Sequence, residues 1–117
     1  MTMKTLVALA LLATSCNAFA ASCPELETQA ETMGDHIPSH ESGRLTIGTE
    51  RVAFYSGPDD ACKEEGVFVL PGEELNAYIN YGDFTSILYI NPKNGNEATG
   101  WVKTSRLKET GYGIGPN

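Results

Sequence analysis

Apolar and polar positions change their spacing along this chain, and each change predicts an element. The first twenty residues carry one charge, Lys4, then a small-and-apolar run from Leu6 to Ala13, then Ala18-Phe19-Ala20. A short positive start, an apolar stretch of roughly 8–10 residues and an A-x-A site are the pattern of a cleaved secretory signal. The run is well short of the ~20 residues that a spanning helix needs. Residues 1–20 are therefore expected to be a signal peptide, cut after Ala20. From Ser22 the spacing is helical. Ser22 can cap, Pro24 suits an early helical position, and Glu25 completes a capping box. Leu26, Ala30 and Met33 follow at i, i+4 and i+7, one apolar stripe, and Gly34 stops the run, which predicts a helix over 24–33. Asp35 to Gly43 is polar, contains Pro38 and reads as a linker, so residues 21–43 form an N-terminal helix and linker.

Beyond that the spacing is that of strands, and residues 44–108 form the main domain. Arg44 to Thr49 alternates around Leu45 and Ile47, and Arg51 to Tyr55 is rich in β formers. Ser56 to Asp60 is a turn cluster. Gly66 to Leu70 is a short apolar strand and Pro71 to Glu74 a tight turn. Leu75, Ala77, Ile79 and Tyr81 alternate with Asn76, Tyr78 and Asn80, the pattern of a half-buried strand. Gly82-Asp83 turns the chain, and Phe84 to Asn91 is the next strand. Asn91 to Asn96 is a loop with an Asn-Gly turn signal. Thr99 to Lys103 is the last main strand, and Thr104 to Leu107 suits one tight helical turn. Residues 109–117 read as a flexible tail, Gly-rich from Gly111 on. Short antiparallel strands joined by Gly and Pro turns imply a mainly β barrel or sandwich preceded by a short helix.

Composition adds three constraints. The 117-residue chain, less its leader, suffices for one small domain, whose modest core gains from a covalent staple. Cys23 and Cys62 are the two cysteines left after cleavage, and in an oxidising compartment they most simply pair. Closing a loop of about 40 residues stabilises a fold by ~4 kcal/mol in the chain-entropy treatment; two free thiols are the alternative. Cys16 follows Ala13-Thr14-Ser15, a poor version of a lipoprotein site, and its lipidation would tether the chain to a membrane. The whole chain has 8 Lys+Arg against 15 Asp+Glu, a net charge of −7, and losing Lys4 makes it one unit more negative. That balance excludes the basic patches that nucleic acid or anionic lipids require, and it suits a basic protein partner; plain solubility is the commoner cause.

Candidate chemistry is sparse. His36 and His40 sit four apart, which on a helix would share a face for a metal, but Pro38 interrupts such a helix, so no metal or cofactor is expected. No nucleophile elbow or phosphate-cradling loop is present, and no catalytic residue is expected. Asp59-Asp60, Glu64-Glu65 and Glu73-Glu74 point apart as turn neighbours, which fits solvated charges, with Asp59, Asp60, Glu64 and Glu65 as an acidic rim in the alternative. Among the aromatics, Trp101 and Tyr89 suit the core, and Tyr55 and Tyr78 an exposed binding pair. The loop from Pro92 to Ala98, with Asn94 and Asn96 at its tip, is the candidate wedge. The expected partner-binding residues are thus Tyr55, Asp59, Asp60, Tyr78, Asn94 and Asn96.

In order, Tyr55-Ser56-Gly57-Pro58, a strand ending at Leu70, Pro71-Gly72-Glu73-Glu74-Leu75, Gly82-Asp83-Phe84-Thr85-Ser86-Ile87 and Gly100-Trp101-Val102 resemble the bacterial SH3-like domain family, over about residues 50–107. The resemblance implies a small, partly open SH3-like barrel of five to six antiparallel strands. Tyr55 stands where the family has Arg, and Phe84 where it has its first Trp. Cys62 and the 91–98 loop are additions. These departures weigh against the peptidoglycan stems that family members bind, which remain the alternative ligand. With a signal peptide and an added Cys, the chain resembles small periplasmic proteins thought to be immunity proteins against type VI secretion effectors. The implied function is an exported periplasmic protein-binding module that occludes a toxic enzyme, with a basic toxin or hydrolase as partner and no catalysis of its own. Membrane attachment follows only if Cys16 is lipidated.

Overall fold

A computed structural model describes residues 21–113. The expected signal peptide and Cys16 lie outside the described residues. The chain opens with helix α1 (Cys23–Met33), for which Ser22 is the cap. The Glu25 N–H donates to Ser22 Oγ (3.3 Å) and the Ser22 N–H to Glu25 Oε1 (2.8 Å), the reciprocal capping box that the sequence predicts. Gly34 ends the helix with extended backbone (φ −81°, ψ 172°) rather than the left-handed turn common at helix ends. A Cβ here would stand 2.6 Å from Ile79 Cγ2 and 2.7 Å from the Ala30 carbonyl, so close approach to the sheet is what demands glycine.

Eight strands follow among the described residues: β1 (Asp35–His36), β2 (Gly43–Thr46), β3 (Val52–Tyr55), β4 (Lys63–Val69), β5 (Glu74–Tyr81), β6 (Phe84–Ile90), β7 (Glu97–Lys103) and β8 (Leu107–Glu109). They form one curled antiparallel sheet in the order β4-β3-β7-β6-β5-β2-β8, with β1 also against β5. The sequence anticipates the six longer strands; β1 and β8 are the additions. The segment expected as a linker is docked: β1 pairs with β5, Ile37 N–H donates to the Tyr78 carbonyl (2.8 Å), and Ser39–Glu41 form a 3₁₀ turn. The start of the expected tail is docked as well, since Gly43 N–H donates to the Tyr112 carbonyl (2.7 Å). Both segments carry mostly polar side chains and attach largely through their backbones, with Ile37 packed on the inner core, and side-chain patterning does not report the backbone bonds.

The sheet is apolar on both faces. On one lie Val52, Phe54, Val69, Leu75, Ala77, Ile87 and Val102, the inner core. On the other lie Ile79, Phe84 and Trp101, covered by Ala30 of α1. A bulge in β5 makes this division. Ala77 pairs with Ile87 but Ile79 pairs with Ser86, so Tyr78 is an extra residue on the β5 side. The stripe Leu75, Ala77, Ile79, Tyr81 is therefore not one face, as its alternation suggests. Leu75 and Ala77 enter the inner core, while Ile79 and Tyr81 turn to the helix.

The Cys23–Cys62 disulfide joins the first turn of α1 to the 3₁₀ turn Asp60–Cys62 that follows β3. Gly57 lies beneath this junction, where a Cβ would come within 2.7 Å of the Cys23 carbonyl. At the far side of the sheet, buried Thr46 holds the β4–β5 connection. Its Oγ1 donates to the Leu70 carbonyl (2.7 Å) and accepts from Glu73 N–H (2.8 Å), while its carbonyl accepts from Gly72 N–H (2.8 Å). This brings the end of β4 against β2 and curls the sheet. Arg106 extends the seam by donating to the carbonyls of Ile47 and Glu50 (2.9 and 2.6 Å). Among the described residues no helix is long and apolar enough to cross a membrane.

Three outcomes follow for urea denaturation. A Cys23→Ala/Cys62→Ala double variant loses about 2–4 kcal/mol while keeping its β circular dichroism. Deleting Tyr78 leaves Ala77 and Ile79 on opposite faces and so keeps both cores; it costs about 1–2 kcal/mol through the lost Tyr78 carbonyl, which accepts from Ile37 N–H, whereas Tyr78→Ala, which keeps that carbonyl, stays within about 1 kcal/mol. Thr46→Val takes the hydroxyl from two part-buried backbone groups, the Leu70 carbonyl and the Glu73 N–H, and costs about 1–2 kcal/mol.

Candidate functional site

The residues singled out in the sequence fall at three places, not one. Tyr55, Asp59 and Asp60 lie together at the end of β3. Tyr55 is half-buried, with its ring edge-on to Phe84 (centroids 5.0 Å apart, planes at 73°). Lys103 Nζ sits 5.9 Å from the Tyr55 ring, 5.4 Å from the Phe84 ring and 2.9 Å from Asp60 Oδ1. The hydrogen bond to Asp60 raises the Lys103 pKa above its ordinary value, more than burial lowers it. Asp59 Oδ1 accepts from Ala61 N–H (2.8 Å) and caps the 3₁₀ turn. Both aspartates thus have internal work: one caps a turn and the other is paired with a lysine.

Tyr78 is the bulge residue of β5 and is 39% exposed. Strands β7 and β6 lie between it and Tyr55, about 14 Å at ordinary strand spacing. The two tyrosines do not form an exposed pair, because one anchors a buried aromatic contact and the other fills a bulge. Trp101 and Tyr89 also part company. Trp101 pairs across to Tyr55, lies buried under α1 and donates from Nε1 to Glu27 Oε2 (3.4 Å), whereas Tyr89 packs on the inner core.

Asn94 and Asn96 lie in the β6–β7 hairpin, whose tip is exposed. The hairpin is braced from within. Asn91 N–H donates to the Asn96 carbonyl and Gly95 N–H to the Asn91 carbonyl, each 2.8 Å. Lys93 N–H donates to Asn91 Oδ1, and Asn96 N–H to Asn94 Oδ1, again at 2.8 Å. Gly95 takes φ +76°, a conformation that a side chain would strain. The asparagines thus hold the loop's own backbone in shape.

At the foot of this hairpin lies a groove of about 400 Å³, lined by Gly72, Glu73, Glu74, Tyr89, Ile90 and Pro92. Tyr89 OH donates to Glu73 Oε1 (3.2 Å), and Tyr112 OH to Glu74 Oε2 (3.4 Å). Neither glutamate has an ion pair among the described residues. Sequence reasoning read Glu73-Glu74 as turn charges and Tyr112 as tail. Nothing local signals their meeting, which depends on the fold of the hairpin and on the docked chain end.

The two histidines are apart in role. His36 Nε2 lies 2.8 Å from the Glu31 carbonyl, and His40 lies 3.3 Å from Glu41. Among the described residues no group of three or more His, Cys, Asp or Glu is placed to hold a metal ion. No family model matches the chain, and no curated protein or solved structure does either.

Burial first, then the bond to Glu73, hold the Tyr89 phenol above its ordinary pKa. A raised folded value means that the bond's stabilisation is complete below the unfolded phenol pKa and is lost as pH rises through the folded one. Spectrophotometric titration of the wild-type protein minus Tyr89→Phe should give a difference curve centred above ordinary tyrosine. A curve centred at or below the ordinary value would mean that the hydroxyl is not held by Glu73.

Proposed function

We propose that this chain is an exported, periplasmic protein-binding module with an SH3-like barrel, an immunity-type inhibitor that occludes a toxic enzyme. The observation that carries this reading is the internally braced hairpin Asn91–Asn96 standing beside an acidic groove. A loop already fixed in shape enters a partner's cleft with little further ordering, so more of its contact energy appears as affinity. At its foot, Glu73 and Glu74 offer acceptors to a basic side chain on the rim of that cleft, and the chain's acidic balance steers such a partner towards it. The mechanism is steric: the hairpin fills the active-site entrance and the rigid barrel behind it excludes substrate. The Cys23–Cys62 disulfide supports an oxidising destination. In this reading Asn94 and Asn96 make the contact, and Tyr55, Asp59, Asp60 and Tyr78 lie on the flank of the barrel.

The test is capture by the oxidised mature protein from a periplasmic fraction of the source organism, read by mass spectrometry. The expected result is one stoichiometric hydrolase or secreted toxin whose activity falls when the protein is added. Replacing Asn94-Gly95-Asn96 with Ser-Ser-Ser should weaken that complex by about tenfold or more and leave the β circular dichroism spectrum unchanged. Unchanged affinity removes the hairpin from the mechanism, and recovery of wall fragments alone gives the site to peptidoglycan.

A further inference from the structure

One sheet edge is left open. Strand β4 ends the strand order and pairs only with β3 among the described residues. The opposite edge, β8, is three residues long and continues into the docked chain end. Along β4 the pairing is regular at its end, with Val69 opposite Val52 and Phe68 opposite Ala53. It then slips, because Tyr55 pairs with Lys63 and leaves residues 64–67 to span the gap. Gly66, at φ +79°, sits in this slip.

The exposed apolar side chains gather at this edge. Val67, Phe68 (40% exposed) and Leu70 (55%) are consecutive or nearly so, and Ile47 is next to the Thr46 that holds the Leu70 carbonyl. The first half of β4 carries Lys63, Glu64 and Glu65 and the slip at Gly66, the charge and irregularity that keep an edge strand single, whereas its second half carries valine and phenylalanine. Beside it runs a groove of about 420 Å³ lined by Ala53, Val67 and Phe68 and by Glu50, Glu64 and Glu65. None of the three glutamates has an ion pair among the described residues. The lining also holds two cations, Lys63 and Arg51, the latter stacked over Phe68 at 4.4 Å, so acidic groups outnumber basic ones there by one.

We propose that the free edge of β4 takes an extended segment of a basic protein partner as an added strand. Backbone hydrogen bonds to the stretch from Val67 to Val69, short of the Leu70 carbonyl that Thr46 holds, would supply the pairing, apolar side chains of the guest would cover Phe68 and Leu70, and its lysines or arginines would meet Glu50, Glu64 and Glu65. A second copy of this chain fits worse. A two-fold pairing would set the same glutamates against one another in a chain that already carries −7. This surface is separate from the hairpin, and the proposal stands whether or not the hairpin fills an active site.

The probe is a capped peptide of about nine residues alternating Lys and Val, added to the oxidised mature protein. Amide shifts and hydrogen exchange are followed by NMR. The expected result is perturbation and protection at residues 67–69, with affinity falling several-fold as salt rises from about 0.05 to 0.5 M. A Glu64→Lys/Glu65→Lys variant should bind about tenfold more weakly. A peptide N-methylated at alternate residues should not bind, which tests strand pairing without altering the protein. Equal binding of a Glu–Val peptide, perturbation confined to the 91–96 hairpin or the Glu73–Glu74 groove, or concentration-dependent dimerisation that protects β4 without peptide would each overturn the proposal.

Discussion

The extra residue in β5 governs this structure. With Tyr78 paired in a regular ladder instead of bulged, a strand that alternates Leu75, Ala77, Ile79 and Tyr81 would place all four side chains on one face. With the bulge, the strand feeds two cores, one enclosed by the curl of the sheet and one on the outside. An outer apolar patch of Ile79, Phe84 and Trp101 must then be covered, and α1 is the element that covers it. The helix presents little apolar surface of its own, with Ala30 its one buried residue. Packing alone would hold such a short helix weakly. The disulfide to Cys62 and the missing side chains of Gly34 and Gly57 let it lie close, so bulge, helix, glycines and disulfide form one dependent set.

Much of this order is legible in the chain. The capping box predicts the start of α1 to within a residue, and the long strands announce themselves through alternation between Gly and Pro turns. The bulge is not legible, because a stripe at period two looks the same whether it serves one face or two. The docking of residues 35–43 and of the chain end is hidden for another reason. Both are attached mainly by main-chain groups, with Ile37 packed on the inner core in the first and the Tyr112 hydroxyl bonded to Glu74 in the second, while pattern reading sees mostly side-chain polarity.

The candidate site divides along the same line. The hairpin tip is visible because Asn-Gly has one strong local meaning, and the structure adds that its asparagines brace the loop they belong to. Asp59 and Asp60 looked like free charges because their partners, the Ala61 amide and Lys103, are set by a tight turn and by a distant strand. Glu73 and Glu74 were passed over as turn residues for the converse reason, since the tyrosines that face them come from positions 89 and 112. A charge's role depends on what the fold brings beside it, and that is the part of the site a single sequence conceals.

The tryptophan has a use that its burial creates. Trp101 is the one tryptophan in the chain, and it lies under α1 with its indole N–H directed to Glu27 on that helix. Its emission therefore reports the seating of the helix rather than the state of the barrel's interior, which is built from aliphatic residues and Phe54. Lifting of the helix would admit water to the indole and shift its light to the red while every strand stayed paired. The protein thus carries its own optical gauge of whether the outer core is closed.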